Sequence, residues 1–167
     1  MIVFTEGNLQ ISIQGAVNAR KFDDDGHGLS HCMKAVDFIL EFPDHYLFIE
    51  FKDPDAPDIP QQARAEFLRS FEEGQRDEEL KYKYRDSFLY EWASGRADKA
   101  IYYLVLIAQH DLSPGDMLRR TNALERILPL QLPSSVTWTR PIVNGCGVFN
   151  IDAWNQNFPD YPVRRLT

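Results

Sequence analysis

The chain has 167 residues, 44% hydrophobic and 26% charged, a balance that excludes a disordered segment and fits one globular domain with a sizeable core. Its longest strongly apolar run, 101–108, falls well short of the roughly 20 residues a membrane-spanning helix needs, and only two cysteines, Cys32 and Cys146, occur, which excludes a disulfide scaffold and points to a reducing cytoplasm. The net charge of −7 is uneven: residues 1–60 hold 4 Lys and Arg against 11 Asp and Glu, whereas 61–167 are balanced.

Met1-Ile2-Val3-Phe4 meets the acidic Glu6 too early for a signal peptide. Residues 9–14 alternate apolar and polar and predict a short strand; 16–22 form a second candidate strand. The run from Asp23 to Gly28 is a loop. Strands are expected over 34–42 and 46–52, joined through Pro43-Asp44-His45. A Pro- and Asp-rich loop leads to Pro60, which suits a first helical turn. From 61 to 93 the pattern is helical, with a break near Gly74. Leu80, Tyr84, Phe88 and Trp92 recur every fourth residue, with Leu89 beside them, and Gly95 is the stop. The run 101–108 reads as a buried strand. Ser113-Pro114 caps an amphipathic helix over 114–128, and 136–139 is a further short strand. Beyond 148–151 and Trp154 an irregular, Pro-containing end is expected. The order of elements defines a mixed α/β layer fold, a single domain over 1–167.

The chemistry concentrates in the hairpin. If 34–42 pairs with 46–52 so that opposed residue numbers sum to 87, Leu40 faces Leu47, Phe38 faces Ile49 and Val36 faces Phe51, forming one apolar face. The other face then holds Asp37, Ile39 and Glu41 beside Tyr46, Phe48, Glu50 and Lys52. Asp37 is directly opposite Glu50, with Cβ atoms roughly 5 Å apart. A slip of one residue would move Asp37 onto the face of Ile49 and Phe51, so the hydrophobic pattern selects the register that pairs the carboxylates. Opposed like charges destabilise a sheet. Lys52 offsets part of the repulsion, and a divalent cation would offset more. Mg²⁺ or Mn²⁺ takes oxygen ligands, here Asp37, Glu50 and the Phe51 carbonyl. The plain alternative is a cross-strand ion cluster at a sheet surface.

Asp37, twelve residues, then Glu50-Phe51-Lys52 on adjacent antiparallel strands resembles the core motif of the PD-(D/E)xK nuclease superfamily, over about residues 16–108. The resemblance implies a restriction-endonuclease-like αβββαβ core, a mixed sheet flanked by helices. It also implies Mg²⁺-dependent hydrolysis of phosphodiester bonds in nucleic acid, DNA before RNA. Asp37 and Glu50 would be metal ligands, and Lys52 would position the attacking water. Val36 stands where many members have proline. No first helix carrying an acidic residue is found; Glu6 is the one early candidate, and without it a one-metal site or a degenerate one is implied. The family often places a basic residue on the helix after the motif. Lys81 and Arg85 share a helix face while Lys83 points elsewhere, so Lys81 is assigned to the site.

Other motifs carry less. His27, His31 and Cys32 have no downstream partner cluster for zinc, and Cys146 has no histidine motif to activate it. Tyr82, Tyr84, Tyr102, Tyr103 and Trp138 are assigned to packing before base stacking. The acidic first third repels phosphate unless a metal or a basic strip offsets it. A second reading follows: a catalytically degenerate nuclease-fold chain serving as a binding or adaptor module in a multi-protein system. A homodimer would supply a groove that one chain lacks.

Overall fold

The computed structural model describes residues 1–130 and 138–166. Residues 18–52 build three antiparallel strands, β3 (Asn18–Lys21), β4 (Phe38–Glu41) and β5 (His45–Lys52). They follow a first hairpin, β1 (Ile2–Glu6) and β2 (Leu9–Ile13). Helices α1 (Gln61–Glu72) and α2 (Asp77–Ala93) lead into β6 (Ala100–Ile107), which lies parallel to β5. Helix α3 (Pro114–Ile127) then leads to β7 (Gly145–Phe149), parallel to β6. Helix α4 (Ile151–Asn157) and β8 (Val163–Arg165) end the chain. The main sheet has the order β3-β4-β5-β6-β7, and a small antiparallel sheet has the order β1-β2-β8. The molecule is thus a mixed α/β fold, with four α-helices and a mixed sheet among the described residues.

Period-two alternation sends β5 and β6 side chains to two cores. On one face Ile39, Phe48, Tyr103, Val105 and Ile107 meet Phe71 of α1, Leu80 and Tyr84 of α2 and Leu124 of α3. On the other, Phe38, Leu47, Ile49, Phe51, Leu104 and Leu106 meet Leu9, Ile11 and Ile13 of β2 and Trp154 of α4. Helices α1 to α3, the main sheet, and the small sheet with α4 stack as three layers.

The hairpin register is the one that hydrophobic alternation requires: Phe38 pairs with Ile49 and Leu40 with Leu47. The first strand is shorter than expected. Over 34–36 the backbone leaves the ladder, because α2 takes its donors. The Lys34 amide donates to Asp86 Oδ2 (3.0 Å) and the Val36 amide to Ser87 Oγ (3.0 Å). Val36 accordingly packs on the helix side and not against Phe51.

The break near Gly74 is a Schellman turn. Gly74 has φ +77°, its amide donates to the Phe71 carbonyl and the Gln75 amide to the Ser70 carbonyl. Gly95 ends α2 in the same way, donating to the Trp92 carbonyl while the Arg96 amide reaches the Glu91 carbonyl. Ser113 caps α3, accepting from the Asp116 amide, with Pro114 at the first helical position.

Several expectations are corrected. No helix precedes β3; the hairpin β1–β2 fills that part of the chain, with Glu6 at the end of a strand. The end of the chain is not irregular: Asn150 caps α4, Trp154 is fully buried, and its indole donates to the Tyr161 carbonyl. Of the strand expected at 136–139, the first two residues lie outside the described residues, and Trp138 and Thr139 are in no strand. The expected stripe on α2 drifts, since a spacing of four residues turns roughly 40° per step. Trp92 is 62% exposed and Leu89 51%. The face that α2 buries is Leu80, Tyr84, Ser87 and Glu91, with spacings of four, three and four that hold one direction. No helix of the described chain is long and apolar enough to cross a membrane.

Candidate active site

Asp37 stands one residue before β4, and its backbone carbonyl still accepts from the Phe22 amide (2.7 Å), so β3 holds its position. Its side chain turns across the hairpin, where Oδ2 accepts from the Phe51 amide (2.5 Å). Glu50 and Lys52 project from β5 toward α2. Glu50 is completely buried, and its Oε1 lies 3.0 Å from Lys52 Nζ and 2.6 Å from Lys83 Nζ. Neither contact is aligned as a hydrogen bond, and Oε2 has no hydrogen-bond partner among the described residues. Lys52 also donates to Glu79 Oε1 of α2 (3.0 Å), and Arg76 holds the other Glu79 oxygen (3.2 Å). Lys83 stands 3.6 Å from Asp37 Oδ1. Two buried carboxylates and two ammonium groups therefore share one pocket between sheet and helix.

Electrostatics follow from this burial. Desolvation and the neighbouring Glu50 push the Asp37 carboxyl up to about 8, against the pull of Lys83 and the Phe51 amide. Burial likewise raises Glu50, although Lys52 and Lys83 oppose it. Burial works against the charge on Lys52, but Glu50 and Glu79 outweigh it and raise its pKa. Glu79 is lowered: burial opposes its charge, and Lys52 and Arg76 overcome that. At the sheet edge, burial and Glu6 raise the pKa of Asp23. Glu6 itself pairs with Lys21 at 2.6 Å.

Sequence reasoning placed Asp37, Glu50 and Lys52 together, and they are together. It placed Lys81 there as well, and Lys81 is not: it pairs with Glu78 (2.7 Å) and lies over the Tyr82 ring. Lys83 is the helix base that reaches the site. The sequence did not single it out, because nothing in it marks Ser87 as an inward-facing residue. Once Leu80 and Ser87 define the inward direction, Lys83 lies three residues from one and four from the other, on the inner flank. Glu79 and Asp23 were also missed. Glu79 shares the Lys83 flank of α2, and Asp23 follows the strand that pairs with the Asp37 segment.

Oxygen donors available to a cation are Asp37, Glu50 and the Phe51 carbonyl. The last points to the same side of β5 as the Phe51 amide, toward Asp37. Among the described residues no third His, Cys, Asp or Glu joins them in a metal-ligating group. Two carboxylates and one carbonyl suit a Mg²⁺ ion that keeps several waters, and the unpartnered Glu50 oxygen is the feature that fits such an ion. The donor set therefore fits.

Comparison with protein-family models, with curated proteins and with solved structures finds no match.

Proposed function

We propose that this chain is a metal-dependent nuclease of the PD-(D/E)xK kind with a restriction-endonuclease-like core, hydrolysing phosphodiester bonds in nucleic acid, DNA before RNA. One observation carries the reading. Asp37 and Glu50, from neighbouring antiparallel segments, converge beside Lys52 in a buried pocket where a Glu50 oxygen lacks a hydrogen-bond partner. The order of three antiparallel strands, helices, then a strand parallel to the third supports it. It corresponds to the αβββαβ core without its leading helix.

Asp37, Glu50 and the Phe51 carbonyl would hold Mg²⁺ or Mn²⁺. When bound, such an ion lowers the pKa of a coordinated water and polarises phosphoryl oxygens. The protein's part is positional. Glu79, anchored by Arg76, holds the Lys52 ammonium against Glu50. There Lys52 can orient the attacking water and offset the negative charge that grows on the phosphate. The Phe51 amide fixes the Asp37 carboxylate.

A specific observation favours the second reading, a nuclease-fold adaptor without catalysis. Lys52 and Lys83 already neutralise the two carboxylates, and Lys21 and Arg76 nearby are paired with Glu6 and Glu79. The test is cleavage of labelled DNA and RNA in Mg²⁺ or Mn²⁺ by the parent, Asp37→Ala and Lys52→Ala. The nuclease reading expects cleavage by the parent and a loss of roughly 10² or more in each variant. Variants that cleave as well as the parent would remove these residues from the mechanism. A parent inert in both metals on every substrate would leave the adaptor.

A further inference from the structure

We infer that Lys83 is the resident counter-ion of the carboxylate pair and withdraws when a divalent cation enters, so that metal loading and release of this ammonium group are one event. The inference rests on the metal-site reading above and adds a residue that controls loading.

The geometry distinguishes the two lysines. Lys52 is shared between Glu50 and Glu79, both at 3.0 Å, so the helix keeps it in place whatever happens to Glu50. Lys83 instead spans the pair: 2.6 Å from Glu50 Oε1 and 3.6 Å from Asp37 Oδ1. It occupies the space between the two carboxylates that supply the candidate ligands. Removing charge from water is costly, and opposed carboxylates in a buried pocket need a cation between them. In this arrangement Lys83 is that cation.

A divalent ion cannot join this arrangement unchanged. Metal ligation needs both carboxylates ionised; two ammonium groups then balance them, and an added ion leaves an excess of two positive charges in a site screened little by water. One ammonium group has to go. Lys83 is the one able to leave, because Glu79 of the same helix holds Lys52 at 3.0 Å, whereas the contacts of Lys83 are to the carboxylate pair itself and its ammonium group rides on a flexible four-carbon stem. Glu50, wholly buried on a central strand, cannot follow it.

The experiment has two arms on the full chain. Calorimetric titration with Mn²⁺ compares the parent with Lys83→Met, which keeps the length of the stem and removes the charge. Tighter binding by about tenfold is expected in the variant, since the competitor is gone. In the second arm the parent is acetylated with an amine-reactive reagent, with and without saturating Mn²⁺, and labelling at each lysine is followed by mass spectrometry. Lys83 should label several-fold faster with metal. Lys99, paired with Glu41 at 2.6 Å, serves as the unchanged reference. Equal or weaker Mn²⁺ affinity in Lys83→Met overturns the inference, as does Lys83 labelling that stays flat or falls while the parent binds Mn²⁺. The labelling arm decides if Lys83→Met does not fold. A parent that binds no Mn²⁺ at millimolar concentration defeats the metal-site reading itself, and this inference with it.

Discussion

Asp37 has one oxygen on the Phe51 amide and the other facing an ammonium group, yet burial and Glu50 still raise its pKa to about 8. In the unfolded chain an aspartate titrates near 3.9. The folded state thus binds this proton more tightly, and the stability it contributes is complete below about pH 4 and disappears as pH rises through about 8. In the presence of EDTA, the parent should lose stability over that window relative to Asp37→Asn, whose amide still accepts from Phe51 and does not titrate. The gap should reach a few kcal/mol by pH 9, read from urea unfolding at pH 5, 7 and 9. Parallel stability curves for the two proteins would show that Asp37 is not held protonated by the fold. That Asp37 and Glu50 lie on one side of the hairpin was legible in the sequence because a strand has only two faces, and Phe38, Leu40, Leu47 and Ile49 claim the other. Lys83 was not, because a helix has no such binary choice. Its bearing depends on which residues α2 buries, and the spacing of large apolar residues pointed to Phe88 and Trp92 instead of Ser87 and Glu91.

At the scale of elements, α2 is held to the sheet as much by polar contacts as by apolar ones. Glu91, 1% exposed, takes both Arg20 of β3 and Arg96 as two-pronged partners, and Ser87 and Asp86 satisfy the amides that β4 leaves unpaired. Ser87→Ala should cost about 1–3 kcal/mol, the penalty for stranding the buried Val36 amide. It should also loosen the segment that delivers Asp37, visible as faster amide exchange over 34–37. A variant as stable as the parent with unchanged exchange would mean that Ser87 is not the anchor. Gly74 sets where α2 begins. Its left-handed φ would strain any side chain, and a Cβ there would lie 2.7 Å from Arg120 Nη1. Gly74→Ala is expected to destabilise the chain by about 1 kcal/mol or more in urea, and no loss would contradict the turn described. Such punctuation by glycine and by Ser113 is local chemistry, which is why the helix limits could be read directly. The small sheet could not be: β1 and β8 are short, and β8 finds its partner β2 from the far end of the chain. Alternation marked β2 as a strand, but nothing local in either segment names the other as its partner.

On the scale of the whole molecule, the strand and helix order was readable from hydrophobic period, whereas the three-layer arrangement depended on the small sheet and α4 covering the second face. Charge has a consequence at this scale too. The chain carries −7 overall, all of it within residues 1–60, and the cations around the pocket are already engaged with Glu6, Glu50 and Glu79. A phosphate backbone approaching this surface meets no surplus of positive charge, and electrostatic attraction is the sequence-independent part of nucleic-acid binding. If the chain acts on nucleic acid, the missing charge has to come from the bound metal and from the ammonium group it frees. Binding of a fluorescent DNA duplex to Lys52→Ala, used to suppress cleavage, should then be absent in EDTA at low salt and appear with Mn²⁺. It should weaken as monovalent salt rises. Anisotropy measured across a Mn²⁺ titration checks this. Firm binding in EDTA would reveal a basic surface elsewhere on the molecule and uncouple DNA recognition from the carboxylate pocket. No binding at any metal concentration would favour the adaptor, whose partner need not carry phosphate at all.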